Sequence, residues 1–353
     1  MKGQYEEQSK LRTGEDLLMV YETEDHEIEY CFPSINSSCI KGKRSSYEYN
    51  IMYVFFSLLS AWTVFLNLLV IISISHFKKL HTPTNLIILS LAAADMLIGL
   101  IVMPVDAIKL TETCWYFGDT FCDVFMIIMG LLTSTSICNL VLIAVDRYVA
   151  VCHPLLYPKK ITVTKTLISI CLCWLFSSNY NIGYIVSGRY FAASQRSDGC
   201  YGKCYLVISF SGTFTDLFFS FLLPCTTIIT LYLRIFYVVH QQVKVINSMM
   251  KSGKCVTEGS VRRKSESKAA LTLGIIVTVY LLCYIPYYIL SVTGTTVTSS
   301  ATVTFLLWTL YVNSGLNPLI YALFYRWFKI SVKHILTFKI LDPASSLVDI
   351  FKD

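Results

Sequence analysis

One carboxylate stands in an apolar stretch of the sequence where an ionised group is costly to bury. Asp216 is the only charged residue from Tyr205 to Leu233, a stretch that contains the run GTFTDLFFSFLLP. Burying an ionised acid in hydrocarbon costs upward of about 2.5 kcal/mol, so an acid that is kept there is by default functional. Such a carboxylate can hold a primary ammonium ion by charge-assisted hydrogen bonds. The alternative is a neutral Asp216 that is hydrogen-bonded between helices and binds no ligand.

Two further charged sites lie within or at the end of apolar stretches. Asp95 follows the run LAAA, and a carboxylate buried there needs polar partners or a cation. Asp146 and Arg147 are adjacent and can form an ion pair, with Glu266 as a second candidate partner for Arg147. The alternatives are a protonated Asp95 in a hydrogen-bond network and a solvated Asp146–Arg147 pair that stabilises little.

The elements that must position these residues are predicted to be membrane-spanning helices. Of the 353 residues, 54% are hydrophobic and 15% are charged, whereas a soluble domain carries about 25% charged residues. A membrane span needs about 20 apolar residues. Seven stretches qualify: Met52–Ser75, Thr82–Val105, Val124–Val145, Thr166–Gly188, Cys204–Leu233 and the two parts of Ala269–Tyr325, which the polar segment Thr293–Ser300 divides. We therefore predict an all-α membrane protein, a bundle of seven transmembrane helices with a short amphipathic helix after the seventh span.

The basic residues predict how this bundle is oriented. They cluster after the first, third, fifth and seventh spans, at Lys78, Lys79, Lys159, Lys160, Arg262, Arg263, Lys264, Lys268, Arg326, Lys329 and Lys333. The positive-inside rule then places the amino terminus outside, although Lys41, Lys43 and Arg44 argue weakly for the reverse. The net charge of +6 therefore reflects the cytoplasmic face and not nucleic-acid binding. We predict an extracellular segment over residues 1–48, a membrane domain over 49–325, and a cytoplasmic amphipathic helix with its tail over 326–353.

The outer side of a plasma membrane is oxidising, so disulfides are expected there. Six of the 13 cysteines fall in predicted outer segments: Cys31, Cys39, Cys114, Cys122, Cys200 and Cys204. Cysteines within spans, such as Cys138 and Cys173, are expected to be small packing residues. Asn36 begins the glycosylation sequon Asn-Ser-Ser on the same outer side. Sequons also occur by chance, so this one agrees with the orientation without deciding it.

Short motifs on successive spans resemble those of the rhodopsin-like G-protein-coupled receptors, over about residues 48–338. In chain order they are Asn67, LAAADM around Asp95, DRYVAVCHPL (Asp146–Leu155), Trp174, Pro224, CYIP (Cys283–Pro286) and NPLIY (Asn317–Tyr321). Pro286 and Pro318 remove backbone hydrogen bonds and are expected to kink their helices. The resemblance implies that Arg147 is released from its ion pair to engage a heterotrimeric G protein. The switch residues that it implies are Asp146, Arg147, Tyr148, Glu266, Asn317, Pro318 and Tyr321.

The same resemblance implies an allosteric sodium ion within the bundle and no other cofactor. Its ligands would be Asp95, Ser136, Asn313, Ser314 and Asn317.

Several stretches are most similar to the trace amine-associated receptors. They include SCIKGKRS (Ser38–Ser45), CWYFGDTFC (Cys114–Cys122) and CYGKC (Cys200–Cys204). This resemblance implies that Cys122 pairs with Cys204, and Cys39 with Cys200, with Cys31 as the less favoured partner of Cys200. It also implies a receptor and not an enzyme: an odorant-type amine receptor of the plasma membrane that raises cyclic AMP through a stimulatory G protein.

One departure from the family determines where an amine would bind. Most aminergic receptors carry an aspartate on the third helix, seven residues after the disulfide cysteine, and here that residue is Met129. Asp216 lies roughly 16 Å from the outer end of its helix at about 1.5 Å per residue, and some fish trace amine-associated receptors are similar in having an aspartate there. The expected ligand set is Asp216, Met129, Thr133, Thr213, Tyr284, Tyr287, Tyr288, Trp308, Tyr311 and Asp106. Asp106 would bind a second ammonium or pair with Lys109, and we favour the pair.

Two other functions remain as alternatives. The chain would be a rhodopsin-like receptor for a non-amine small molecule if the loss of the third-helix acid marks the loss of amine binding. Tyr284, where relatives usually have tryptophan, is a second departure of this kind. A polytopic transporter would also explain acids within the membrane, but it predicts internal repeats and broken helices, and the sequence shows neither.

Overall fold

The computed structural model describes residues 29–42, 44–194, 200–205, 209–251, 274–275, 278–289, 300–342 and 345–347. Within these residues, each of the seven predicted spans holds a helix. In chain order they are α1 (Ser46–His76), α2 (Pro83–Glu112), α3 (Gly118–Cys152), α4 (Val163–Ser194), α5 (210–251), α6 (Thr278–Ile289) and α7 (Ser300–Phe324). The all-α fold predicted from the sequence is confirmed.

Local sequence explains where the first two helices begin and end. The Ser45 side chain accepts a hydrogen bond from the Glu48 backbone N–H and so satisfies a donor at the start of α1. Thr82 caps α2 in the same way, and Pro83 occupies the first helical position, where its missing N–H costs nothing. Helix α2 ends at Glu112. The next residue, Thr113, has a left-handed backbone (φ 59°) that cannot continue the helix.

Helices α2 and α5 each contain a π-helical turn. One covers Ile98–Val102, near the middle of α2, and the other covers Leu217–Leu222, directly after Asp216. A π turn inserts an extra residue, rotates the side chains that follow, and is frequent at functional sites. The turn in α5 therefore affects which way Asp216 and Ser220 face relative to the rest of the helix.

Helix α3 lies at the centre of the packing and contacts α2, α4 and α5, while α1 packs against α2 and α7. Gly130 of α3 leaves room for the Asn181 side chain of α4. At the same interface the structure joins Cys138 to Cys173, whose Cα atoms lie 6.1 Å apart. The sequence-based expectation that these two cysteines are separate packing residues is wrong in this structure, because the close approach of α3 and α4 brings them together.

Three disulfides hold the outer face together. Cys122 pairs with Cys204 and Cys39 with Cys200, as the resemblance implies, and Cys31 pairs with Cys114. The extended backbone follows the same pattern, since the Cys39 N–H donates to the Tyr201 carbonyl oxygen at 2.9 Å. The amino-terminal segment 29–42 is thus tied both to the outer end of α2 and to the loop before α5. Asn36 lies exposed in a turn of this segment.

The opposite face carries the helix α8 (Arg326–Leu336), which was predicted to follow the seventh span. Trp327 and Phe328 are buried, whereas the basic residues Lys329 and Lys333 are exposed. Among the described residues, α1, α2, α3 and the part of α5 over Phe210–Val245 are each long and apolar enough to cross a membrane. These properties fit a helical membrane protein with an amphipathic helix at the bilayer surface.

Candidate ligand pocket and switch sites

Asp216 lies on α5 beside α4 and is partly buried. Helix α5 begins at Phe210, so Asp216 lies about 9 Å from its start, and the expected depth of roughly 16 Å is wrong. Its Oδ1 atom accepts hydrogen bonds from the Tyr180 hydroxyl at 3.3 Å and from the Ser220 hydroxyl at 2.7 Å. Among the described residues, nothing donates to Oδ2, and Asp216 has no basic partner. The carboxylate is thus held in place on one oxygen while the other remains available to a cationic ligand.

Tyrosines of α4 and α6 pack against α5. Tyr180 of α4 donates to Asp216, and its ring centroid lies 6.2 Å from that of Phe219. Tyr288 also stacks on Phe221 with ring centroids 4.6 Å apart. Aromatic faces attract cations by about 0.5–2 kcal/mol, so the setting suits an ammonium group.

Sequence reasoning missed the tyrosines of α4. Phe176, Tyr180 and Tyr184 are spaced four residues apart and stack on one another, with ring centroids 6.1 Å apart in each pair. This spacing places three rings on one face of a helix. The four-residue spacing of these aromatic residues can be seen in the sequence. Their link to Asp216 cannot, because it depends on the contact between α4 and α5.

The expected wall opposite Asp216 is apolar at the position where most relatives carry an acid. Met129 packs with the outer hydrophobic cluster that contains Phe125 and Val102, and Thr133 lies one turn further along α3. Thr213 lies near the outer end of α5, where its hydroxyl donates to the Ser209 carbonyl oxygen at 3.4 Å. From Val124 to Val145, α3 therefore offers apolar contact at Met129 and no carboxylate.

Asp106 differs from Asp216 because a basic residue lies beside it. The Tyr311 hydroxyl donates to its Oδ2 at 2.7 Å, and the Lys109 ammonium lies 3.7 Å from its Oδ1. The pairing with Lys109 that the sequence favoured is present. A buried acid that is compensated in this way does not require a ligand ammonium.

The remaining expected pocket aromatics occupy different surroundings. Tyr284 is buried, with its ring centroid 4.5 Å from that of Tyr280. Trp308 stacks on Phe55 and contacts Phe56, with centroids 4.5 and 5.0 Å apart, so its ring packs against α1. Of Tyr284 and Trp308, only Tyr284 belongs to the group of tyrosines on α6, which consists of Tyr280, Tyr284, Tyr287 and Tyr288.

Asp95 lies fully buried between α2, α3 and α7. The Ser136 hydroxyl donates to its Oδ1 at 3.0 Å, and the Asn317 amide donates to its Oδ2 at 2.8 Å. Ser314 is a further hydrogen-bond partner. The side-chain carbonyl oxygens of Asn313 and Asn317 are buried and accept no hydrogen bond in the structure. Carboxylate and amide oxygens without donors suit a hard cation such as Na⁺, so this residue set fits the expected ion.

At the carboxyl-terminal end of α3, Arg147 is paired with the buried Asp146. The Arg147 Nε donates to Asp146 Oδ2 at 2.9 Å. Two residues that sequence reasoning missed also hold this acid: the Thr84 hydroxyl donates to Oδ2 at 2.8 Å and the Tyr157 hydroxyl donates to Oδ1 at 2.9 Å. Burial, and then the charge of Asp146, raise the pKa of Tyr157, so its hydroxyl remains a donor at neutral pH.

The other expected switch residues are less fully described. The Tyr148 ring packs against His153 with centroids 5.5 Å apart, and Pro318 lies inside α7. Glu266 and the side chain of Tyr321 lie outside the described residues. Of the two expected acidic partners of Arg147, the structure therefore describes Asp146.

The described residues thus hold a partly buried acid on α5, a second acid between α2, α3 and α7, and an acid–arginine pair at the carboxyl-terminal end of α3. The sequence matches the family described as "7 transmembrane receptor (rhodopsin family)" over residues 66–321. It is 38% identical to "Trace amine-associated receptor 13c" of Danio rerio over 92% of this chain and 96% of that receptor. It is also 38% identical to "Trace amine-associated receptor 7a" of Rattus norvegicus and 36% identical to "Trace amine-associated receptor 6" of Homo sapiens, over 92% of this chain and 93% and 96% of those receptors.

The chain belongs to the trace amine-associated receptors, within the rhodopsin family of G-protein-coupled receptors. This is a family of multi-pass membrane receptors and not of enzymes, which confirms the class predicted from the sequence.

Proposed function

We propose that the chain is a plasma-membrane receptor for small amines in which Asp216 on α5 binds the ligand ammonium. The proposal rests on the hydrogen bonds of the Asp216 carboxylate. Its Oδ1 is held by Tyr180 and Ser220, while neither a donor to Oδ2 nor a basic partner lies among the described residues. An ammonium at Oδ2 would complete the set of hydrogen bonds and neutralise the charge.

Two other acids on the same half of the bundle support this choice of anchor by contrast. Asp106 is paired with Lys109, and Asp123 near the outer end of α3 is paired with Arg189. Met129 removes the acid from the position that most aminergic relatives use. The ammonium would therefore lie at α5 with the tail of the ligand toward Met129 and Thr133, a reversed orientation relative to receptors that bind through α3.

The relatives support an amine as the class of ligand, because they are named for trace amines. As further parts of the proposal, the amino terminus is extracellular, Asn36 carries a glycan, the receptor serves olfaction and it couples to a stimulatory G protein that raises cyclic AMP. The three cystine pairs on the amino-terminal face support the orientation, since disulfides persist on the oxidising side of the membrane.

We also propose that Asp95 binds an allosteric sodium ion together with Ser136, Asn313, Ser314 and Asn317. The support is the buried Asp95 carboxylate, which Ser136 and Asn317 hold, together with the buried amide oxygens of Asn313 and Asn317, which accept no hydrogen bond among the described residues.

The test is cyclic AMP production in transfected cells exposed to a panel of primary, tertiary and di-amines. Wild type is compared with Asp216→Asn, and with Asp123→Asn as a matched change of an outer acid, at equal surface expression. Asparagine still accepts hydrogen bonds from Tyr180 and Ser220, so the local structure is preserved. We expect an amine that activates wild type and Asp123→Asn to fail with Asp216→Asn. An equal response of all three receptors, or no response of wild type to any amine, would refute the proposal.

A further inference from the structure

The outer end of α2 borders a small cavity that the proposed amine site does not use. Its volume is about 170 Å³, and its walls include Lys109, Thr113, Trp115, Lys203 and Tyr205. A single water needs only about 10–15 Å³ of such space. The cavity therefore has room for a group the size of a carboxylate.

The charge of the cavity is positive. Lys109 and Lys203 both line it, and no described Asp or Glu does. The Lys109 ammonium approaches Asp106 only to 3.7 Å, which is longer than the 2.7–2.9 Å of a charge-assisted hydrogen bond. An ammonium has three donors, so Lys109 can accommodate a closer anion while it remains near Asp106.

The walls are cross-linked before any ligand arrives. Cys114 and Cys204 also line the cavity, and disulfides tie them to Cys31 and Cys122 respectively. The Trp115 backbone N–H donates to the Gly202 carbonyl oxygen at 2.8 Å. Because these segments are fixed, little ordering is needed when an ion binds, and this preorganisation favours affinity.

We propose that this cavity is an anion subsite that takes a small carboxylate. The carboxylate has two sources with the same chemistry: a free carboxylate ion, or the acid group of a ligand that also carries an amine. Lys109 borders the cavity and lies 3.7 Å from Asp106, and the Tyr311 hydroxyl of α7 donates to the same acid at 2.7 Å, so the cavity lies beside two residues of the expected ligand set. If the carboxylate belongs to a ligand that also carries an amine, the ligand is a zwitterionic amino acid. That possibility rests on the proposed function of Asp216.

The experiment measures trifluoroacetate binding by fluorine NMR line width. It uses the full-length receptor in phosphatidylcholine nanodiscs at constant ionic strength. Lys203→Gln removes one cation of the cavity, Lys203→Arg keeps the charge, and Lys41→Gln is the matched control on the same face, because Lys41 pairs with Glu29 and does not line the cavity. We expect saturable broadening with wild type, about three- to tenfold weaker binding with Lys203→Gln, and near-normal binding with Lys203→Arg and Lys41→Gln. Line broadening that does not saturate would overturn the proposed subsite. Equal weakening of trifluoroacetate binding by Lys203→Gln and Lys41→Gln would also overturn it.

Competition then distinguishes the two sources. Straight-chain ω-amino acids of four to eight carbons are compared with acetate as displacers of trifluoroacetate. If one displaces at least tenfold better than acetate with wild type and loses this advantage with Asp216→Asn, the ligand supplies both charges. If all displace like acetate, the subsite stands with a free carboxylate as its ligand. An advantage that survives Asp216→Asn supports the subsite and counts against Asp216 as the amine anchor.

Discussion

The hydroxyl of Tyr157 is expected to hold the receptor in its resting state. It donates to Asp146 Oδ1 at 2.9 Å, while Arg147 binds Oδ2 of the same carboxylate. Tyr157→Phe removes one donor from a buried acid without adding volume. If Arg147 must leave Asp146 for a G protein to bind, the substitution destabilises the resting state more than the active one. Ligand-free signalling should then rise.

The expected size of this effect depends on the environment of the hydrogen bond between Tyr157 and Asp146. A hydrogen bond to a charged group contributes about 1.5–3 kcal/mol, but Tyr157 is partly exposed and water replaces part of the loss. A net change of about 1 kcal/mol corresponds to a shift of roughly fivefold in the resting-to-active equilibrium. A second loss at Thr84, whose hydroxyl donates to Oδ2 at 2.8 Å, should add to this effect. We therefore expect Tyr157→Phe to raise basal activity severalfold and Tyr157→Phe/Thr84→Val to raise it further.

The assay is guanine-nucleotide exchange on purified stimulatory G protein, driven by receptor without ligand in nanodiscs. Tyr190→Phe is the matched control, because Tyr190 is 77% exposed near the outer end of α4. Receptor concentrations are set by the amount that elutes as a monodisperse peak in size-exclusion chromatography, so that misfolded receptor does not enter the comparison. Basal exchange that is the same for wild type, Tyr157→Phe and the double variant would refute the role given to this hydrogen bond.

Three further predictions follow from other contacts. Replacing both Cys31 and Cys114 by serine should lower the free energy of unfolding by about 2–4 kcal/mol, measured by thermal unfolding beside Cys171→Ser, an exposed free cysteine; equal unfolding of both variants would contradict it. Tyr180→Phe should weaken an activating amine roughly fivefold, since the 3.3 Å hydrogen bond that positions the Asp216 carboxylate contributes about 1 kcal/mol, and an unchanged dose–response curve would contradict the contact with Asp216. Asp95→Asn should abolish any effect of Na⁺, at constant ionic strength, on amine affinity in competition binding, whereas a Na⁺ effect that persists would exclude Asp95 as the ion site.

The sequence predicted the helices well because membrane spans leave a strong signal. Apolar stretches of the required length stood out, and each one holds a helix. The disulfides Cys122–Cys204 and Cys39–Cys200 followed from the resemblance. Cys31–Cys114 did not, because the choice of partner depends on how segment 29–42 lies across the end of α2.

The site could be predicted only in part, because its partners come from other helices. Asp216 was identifiable as an acid in an apolar run, and Asp106 was correctly matched with Lys109, three residues further along the same helix. Tyr180 and Tyr157 were missed, since each reaches an acid on a different element across a tertiary contact. Pairs within one helix can be read from spacing, whereas contacts between helices require the fold.

The central claim is that Asp216 recognises the positive charge of the ligand. The most direct measurement is a thermodynamic cycle: the affinities of an activating alkylamine and of the alcohol of the same length, each determined for wild type, Asp216→Asn and Asp123→Asn. A charge-assisted contact of about 1.5–3 kcal/mol predicts that the advantage of the amine over the alcohol falls at least tenfold in Asp216→Asn and is unchanged in Asp123→Asn. An amine advantage that is the same in all three receptors would show that the charge is recognised elsewhere.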